Sequence, residues 1–249
     1  MLKKPELEKQ IEKIPEFETL KVATVRDAVY TSQPNFKAVV EKGKNKAIAV
    51  VSDRYALVQM RDIFGCVLSQ VDQDVVGEVL YHKGRGQLHI FPGDSKYGIA
   101  VLNSVDSSTA IKIFFVSKAN GVTVYLAPEV VGYKRLHVGN PLAGVQNFSE
   151  ILINAQKTWH SIINSLSQRP ITSEDVVELK EIVETKELVN VIDEFVKNDV
   201  ASFGMRPSLW TLILAILKRA SESRFKSRIH RERRIRELSA MLLAFALKA

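Results

Sequence analysis

Read for the spacing of its apolar positions, the chain changes texture several times. Residues 4 to 13 carry Leu7, Ile11 and the adjoining Ile14 at helical spacing among charges, with Pro5 suited to a first helical position, which predicts a short charged helix packed on the body as an arm. From Leu20 the period shortens to two. Lys21 to Val25, Asn35 to Glu41 and Lys46 to Val51 predict strands, the last two joined by the turn-like Lys42-Gly43-Lys44-Asn45. After Tyr55 the period lengthens again, and Ile63, Phe64, Val67, Leu68 and Val71 predict a helix from about Gln59 to Gln73. A second hairpin is expected from Glu78 to His82 and Gln87 to Phe91, around Lys83-Gly84-Arg85-Gly86, whose glycines permit the positive φ of a tight turn.

The strongest strand signal lies between Tyr97 and Leu126. Tyr97 to Leu102 and Thr109 to Val116 flank a polar loop, and Asn120-Gly121 turns the chain into Val122 to Leu126, so these strands are expected at the centre of the sheet. A long helix follows. Asn147 is placed to cap it, Glu150 stands three residues on, and Phe148, Ile151, Leu152, Ala155, Trp159, Ile162, Ile163 and Leu166 form one stripe that needs a sheet to lie on.

Gln168-Arg169-Pro170 ends that helix and is the expected domain boundary. Thr172 or Ser173 caps a segment to about Thr185, Lys186 to Asn198 forms another, and Phe203-Gly204-Met205-Arg206-Pro207 is a turn that starts a third. From Ser208 to Ala249 there is neither Gly nor Pro. The pattern predicts an α+β fold. An antiparallel or mixed sheet with a long packed helix occupies residues 1–170, and an all-helical domain with a basic amphipathic helix occupies residues 171–249.

Composition adds few constraints. At 249 residues, 46% apolar and 25% charged, the chain has the makings of an ordinary soluble protein with a substantial core. The apolar run Leu209 to Leu217 has nine residues, about half of a bilayer span, so no stable membrane insertion is expected. Met1 to Gln10 alternates Lys and Glu with no apolar core, so no signal peptide is expected. The single cysteine, Cys66, falls in an apolar helical pattern and reads as a core filler, which fits a reducing compartment. The expected localisation is cytoplasmic.

Charge changes the picture more. The whole chain holds 35 Lys and Arg against 28 Asp and Glu; Lys218 to Arg236 holds nine against two, leaving 26 of each sign elsewhere. The net positive charge is therefore localised, and a localised cationic segment is expected to hold a polyanion, because each neutralised phosphate releases condensed counterions. Phe225, Ile229, Ile235, Leu238, Leu242 and Phe245 fall on one side of a helix there, with arginines over the rest. The candidate phosphate contacts in this run are Arg224, Lys226, Arg228, Arg231, Arg233, Arg234 and Arg236. Lys42, Lys44, Lys46, Lys83, Arg85, Lys134 and Arg135, at hairpin tips and loops, are candidates to line a groove, with Tyr81 or Tyr133 available to stack bases. No base-reading signature accompanies them, so the expected binding is independent of sequence.

Other chemistry is sparse. His82, His89, His137, His160 and His230 have no metal-ligand spacing, and neither a phosphate-binding Gly-rich loop nor a nucleophile elbow is present. No metal, cofactor or catalytic residue is assigned, and an enzyme is the less favoured class; a nuclease would require distant acids to converge in the fold. Asp53 and Arg54 are expected to form an ion pair at a strand-to-helix turn. Asn103, Ser104, Asp106 and Ser108 suit a tight loop whose short side chains bond neighbouring amides, with a phosphate or metal pocket as the functional alternative. The apolar stretches Leu209 to Leu217 and Met241 to Leu247, on either side of the basic run, are expected to supply a homo-oligomer interface.

Two of these stretches carry a resemblance. Val51-Ser52-Asp53-Arg54-Tyr55 followed by Val58-Gln59, and Leu102-Asn103-Ser104 with Asp106 and Ser108, resemble signatures of a broad family of uncharacterised phage and plasmid proteins, filed as a domain of unknown function. Leu209-Trp210-Thr211-Leu212 with Ala215 is similar to that family's helical C-terminal part, so the likeness spans roughly residues 45 to 245. The family's loop commonly reads Asn-Ser-His-Asp-Gly, whereas Val105 and Ser107 stand here in place of the His and Gly, so imidazole chemistry in that loop is not expected. The resemblance implies a gene carried on mobile elements, hence a host-cell cytoplasm if a virus encodes it. At the level of fold alone, hairpins followed by a long helix on a curved sheet also look like single-strand annealing proteins of phage recombination. The expected function is ATP-independent binding of nucleic acid, single-stranded DNA above all, with strand annealing. The alternative is a non-enzymatic structural or regulatory protein of a mobile element that acts through oligomerisation.

Overall fold

The structure is a computed structural model that describes the chain except residues 27–28, 45, 73, 127–133, 139–146, 184, 203–207, 226 and 249; the side chains of 24–31, 135 and 198–202 also lie outside the described set. The fold is α+β, as the residue pattern predicts. A seven-stranded sheet has the order β1-β5-β6-β7-β8-β10, with β9 also on β8, and a three-stranded sheet has the order β2-β3-β4. The strands are β1 (Leu2–Lys3), β2 (Phe17–Arg26), β3 (Val29–Glu41), β4 (Ala47–Ser52), β5 (Val75–His82), β6 (Arg85–Pro92), β7 (Tyr97–Ser104), β8 (Ile111–Ala119), β9 (Val122–Leu126) and β10 (Lys134–Arg135). The helices are α1 (Lys4–Ile11), α2 (Met60–Ser69), α3 (Phe148–Gln168), α4 (Ser173–Val183), α5 (Lys186–Ser202), α6 (Leu209–Glu222) and α7 (Arg228–Ala246). Among the described residues no helix is long and apolar enough to cross a membrane.

The residues cluster into two compact units interleaved along the sequence. The first is residues 1–95, 99–113 and 132–152; the second is 96–98, 114–131 and 153–249. Neither begins at 170.

In the first unit, the β5–β6 hairpin closes through Lys83 (φ 45°) and Gly84 (φ 80°), pairing His82 with Arg85. Two consecutive positive-φ residues make the turn whose twist matches the flanking strands. The turn takes only Lys83-Gly84 of the expected Lys83-Gly84-Arg85-Gly86, so Arg85 starts β6 instead of capping the tip. The register puts Val79, Leu88 and Val101 in one row of a face and Gly77, Ile90 and Ile99 in another. That face receives α1 and α2: a Cβ on Gly77 would stand 3.1 Å from Leu7, and one on Gly86 would collide with Met60 Sδ and lie 3.2 Å from Phe64. Glycine is required there for close approach. The reverse face carries His89, fully buried, whose Nδ1 lies 3.1 Å from Glu78 Oε1 while its Nε2 meets Gln87 Nε2.

The three-stranded sheet turns from β3 to β4 near Gly43 (φ 79°), as expected. Gln59 ties it down at Phe17, accepting from the Phe17 N–H at 3.0 Å and donating to its carbonyl at 2.7 Å. Phe17, Val39 and Val51 bury one face, while Leu20, Phe36 and Val50 leave the other apolar and 48%, 49% and 60% exposed. The first turn of α3 is also here. Asn147 Oδ1 accepts from the Glu150 N–H at 3.3 Å, the cap the sequence predicts, and Gln70 holds the Asn147 N–H at 2.9 Å.

In the second unit, β8 and β9 are joined by Asn120 (φ 49°) and Gly121 (φ 79°), the expected turn. The α3 stripe is buried at Ala155, Trp159 and Leu166, and Trp159 lies 6.2 Å from Trp210 of α6. Chain passage at the end of α3 is tightly bonded. The Leu209 N–H donates to the Arg169 carbonyl at 2.9 Å, Arg169 reaches Asp175 at 2.6 Å and the Ala246 carbonyl at 2.9 Å, and Thr172 with Asp175 makes a reciprocal cap for α4. The turn expected at 203–207 lies outside the described residues.

Two expectations change. The stretch from Ser208 onward is not one helix: α6 stops at Ser223, whose backbone is extended, and Ser227 caps α7 by accepting from the His230 N–H at 3.4 Å. Serine hydroxyls compete for backbone groups, so Ser221, Ser223 and Ser227 punctuate the helix where Gly and Pro are missing. The apolar stretches beside the basic run are consumed inside the chain. Leu209, Leu212, Ile213, Ile216, Leu217, Leu242 and Leu243 are all buried, and Met241 and Leu247 are the large apolar side chains these stretches leave exposed.

Candidate functional site

Arginines within α7 are sorted by what one acid does. Glu232 is 6% exposed and sits on the helix face that also buries Ile235, Leu238, Ser239, Leu242 and Ala246. Tyr125 of β9 donates to its Oε2 at 2.6 Å and Arg231 to its Oε1 at 3.2 Å. One turn further on, the Arg236 guanidinium lies 5.3 Å from the Phe114 ring centre, and burial lowers its pKa. Helical spacing thus commits Glu232, Ile235 and Arg236 to β8 and β9 and turns the intervening residues outward.

The outward residues are the accessible cations. Arg234 and Arg224 are exposed and have no ion pair among the described residues, and Lys218 is the same. Arg233 is exposed and bonded to Glu237 at 2.8 Å, a contact that raises its pKa. Arg228 is exposed and engaged in a further interaction. Arg231 is half-buried against Glu232, and Arg219 is held by Glu187 at 2.8 Å and Glu222 at 3.4 Å. Lys226 lies outside the described residues.

The hairpin-tip candidates belong to the first unit, and two of the tips converge. A Cβ on Gly84 would come within 3.0 Å of Ile48 Cδ1, and Tyr81 feels the charges of Glu41 and Lys44. Around them Lys42 is bound to Glu16 at 2.7 Å and Lys44 to Glu41 at 2.7 Å, while Lys46 and Lys83 are exposed without an ion pair among the described residues. The Glu16 contact raises Lys42 and lowers Glu16. Tyr81 is half-buried and accepts from the Gly84 N–H at 3.2 Å. Lys134 is exposed in β10; the side chain of Arg135 and all of Tyr133 lie outside the described residues.

Arg85 points elsewhere, into the polar loop. Its Nε donates to Asp106 Oδ2 at 3.1 Å, and Asp106 Oδ1 accepts from the Ser108 N–H at 3.0 Å and from its hydroxyl. Burial raises the Asp106 carboxyl, and the Ser108 and Arg85 bonds outweigh it to leave the group below its ordinary range. Ser104 Oγ both donates to the Thr109 carbonyl and accepts from the Thr109 N–H, each at 2.9 Å. Asn103 Nδ2 donates to the Val58 carbonyl at 3.0 Å, and its buried Oδ1 makes no hydrogen bond among the described residues. This is the side-chain-to-amide bracing that a tight loop requires. Among the described residues no cluster of three or more His, Cys, Asp and Glu side chains could hold a metal ion.

An imidazole reaches this loop from a distant part of the chain. His137, 5% exposed, stacks on Tyr55 at 5.1 Å between ring centres, and Tyr55 Oη donates to the Ser104 carbonyl at 3.3 Å. The Ala56 carbonyl can only accept, so His137 Nδ1, at 3.2 Å, carries the proton there. Burial lowers the His137 pKa, and burial together with the Asp106 charge raises that of Tyr55. Asp53 and Arg54 do not form the expected ion pair. The chain bends at Ser52 to Tyr55, where the Asp53 N–H donates to the Asn35 carbonyl at 2.9 Å, and neither charged side chain has an ion-pair partner among the described residues.

Comparison with family models, with curated proteins and with solved structures found no match. Three features escape the sequence reading. Glu232 carries a recoverable signal, an acid on the apolar repeat 232, 235, 239, 242. Lys21 and Lys37, paired across β2 and β3, are detectable only once the register is known. His137 has no local signal, because the ring it stacks on and the carbonyl it bonds belong to Tyr55 and Ala56, far away in sequence.

Proposed function

We propose that the chain binds nucleic acid without regard to base sequence, through the exposed cations between Lys218 and Arg234, and that its preferred form is single-stranded DNA. The observation that carries this reading is that Lys218, Arg224 and Arg234 are exposed and unpaired among the described residues, with Arg228 and Arg233 exposed beside them in sequence. The remaining exposed pairs are no obstacle. Solvent-exposed ion pairs contribute about 0–1 kcal/mol, so a phosphate can replace Glu237 on Arg233 at little cost. Binding is capture of the backbone and needs no cofactor. Strand annealing, a cytoplasmic location and a mobile-element origin are parts of the same proposal, supported by the resemblance of residues 45 to 245 to phage and plasmid proteins.

Fluorescence anisotropy of labelled oligothymidylate and of a duplex over a salt series tests it. The native chain is compared with one carrying Arg224→Ala, Arg228→Ala, Arg233→Ala and Arg234→Ala. Single-strand affinity is expected to fall with salt, and the log–log slope to shrink by about 0.7 for each phosphate contact removed. Equal slopes for the two proteins would remove the segment from the mechanism. The alternative, an assembly protein, is favoured by the exposed apolar face of Leu20, Phe36 and Val50. It predicts self-association in light scattering that Val50→Lys abolishes.

A further inference from the structure

The three-stranded sheet holds two like charges against each other. Lys21 and Lys37 are Cα partners in the β2–β3 ladder, so both side chains leave the face that Phe17, Val39 and Val51 bury, with Lys21 exposed and Lys37 half-buried, about 5 Å apart at Cβ. Directly opposed like charges weaken an antiparallel pair. The register that imposes this is not free to slip: a shift by one residue would turn Phe17 off the face that it buries. The ladder keeps that register as far as Lys21 and shifts immediately after it.

Nothing described in the chain neutralises the pair. Neither lysine has an ion-pair partner among the described residues. The third residue of their row is Val51, which is buried and uncharged. Nearby acids are committed or directed elsewhere: Glu16 is held by Lys42 and Arg61, Glu41 by Lys44, and Glu18, paired with Val40, leaves the opposite face. Past Val51 the chain turns through Asp53 and Arg54, both exposed, which cancel in charge and have no ion-pair partner among the described residues. A second opposed pair, Lys134 with Lys112, differs because Lys112 is engaged in a further interaction.

We infer that the Lys21–Lys37 pair is a phosphate contact for the single-stranded nucleic acid, a cationic site in the first unit that acts in addition to the arginines of the second. The inference rests on the function proposed above. Two ammonium groups on adjacent strands, with three donors each, match the charge and the acceptor oxygens of a phosphodiester. An anion there also removes the repulsion that the register imposes.

The test uses the full chain with Lys21→Gln and Lys37→Gln, and a second variant with Lys21→Arg and Lys37→Arg. Oligothymidylate binding over a salt series is expected to lose about 1.4 from the log–log slope in the glutamine variant, two contacts at about 0.7 each, and to keep the native slope in the arginine variant. Without nucleic acid the glutamine variant is expected to melt no lower than the native chain, since it has lost a repulsion. A native slope in the glutamine variant overturns the site while leaving the C-terminal arginines in place. Absence of oligothymidylate binding by the native chain overturns both. If the glutamine variant melts lower, the arginine variant decides: weakened binding with restored melting temperature means the lysines serve the fold, and the site is overturned.

Discussion

The contact between Tyr125 and Glu232 should show a coupling of about 1–3 kcal/mol, so that the two single substitutions are not additive. The carboxylate is 6% exposed and accepts from Tyr125 Oη at 2.6 Å, and Tyr125 is fully buried. Tyr125→Phe takes one hydrogen bond from a desolvated carboxylate, and a hydrogen bond to a charged group contributes about 1.5–3 kcal/mol. Glu232→Leu removes the charged acceptor of the buried Tyr125 hydroxyl, at a cost of about 1–3 kcal/mol. Replacing both by apolar groups of similar shape removes both ends of this bond, so the double variant is expected to cost less than the sum of the two single variants. Urea unfolding followed by tryptophan fluorescence measures the cycle, because the two tryptophans of the chain, Trp159 and Trp210, both lie in the same compact unit as Tyr125 and Glu232. Additive single effects, with a coupling energy under about 0.5 kcal/mol, would refute the claim that this pair fixes α7 to β9.

Two further outcomes are expected. Gly86→Ala puts a methyl against Met60 Sδ and the Phe64 ring, and should cost about 1–3 kcal/mol in a urea titration followed by circular dichroism; an unchanged midpoint would mean α2 does not pack there. Burial lowers the His137 pKa in the folded chain, so below the unfolded value of about 6.5 the unfolded chain binds a proton that the folded chain refuses. Stability is therefore fully present above about pH 6.5 and declines as pH falls, and His137→Gln should flatten that decline in urea midpoints across the range.

Much of the fold was legible because it is local. Asn120-Gly121 names its turn, Asn147 names its cap, and the stripe through Ala155, Trp159 and Leu166 names its buried side. What failed also has a local cause. The break at 223–227 depends on serine hydroxyls whose capping role competes weakly with helix, and an apolar periodicity running through Phe225 and Ile229 hides it. Lys83-Gly84 and Gly84-Arg85 both supply a glycine to a two-residue turn, so composition cannot choose between them. Moving the turn by one residue shifts the pairing by two and leaves every side chain on the same face, so the alternation of buried positions does not choose either. The His137–Tyr55 stack joins residues far apart in sequence, and no local pattern encodes it.

The candidate site divides along the same line. Position along the chain tells where positive charge is concentrated, and tertiary contacts tell which of it a polyanion can use. Arg236 and Arg234 are two residues apart and equal in any count of charge. A helix turns 100° per residue, about 200° between them, so one guanidinium lies over Phe114 and the other faces solvent. An acid partner alone does not withdraw an arginine. Arg233 is paired with Glu237 in solvent, where the pair contributes little, and it stays available. Arg231 is paired with a carboxylate that is itself buried, and taking it away would leave Glu232 short of a partner in a desolvated site. Burial of the acceptor, more than the presence of the pair, therefore sets the order in which these arginines can serve a phosphate: Arg234 and Arg224 first, then Arg233, with Arg231 and Arg236 held by the fold.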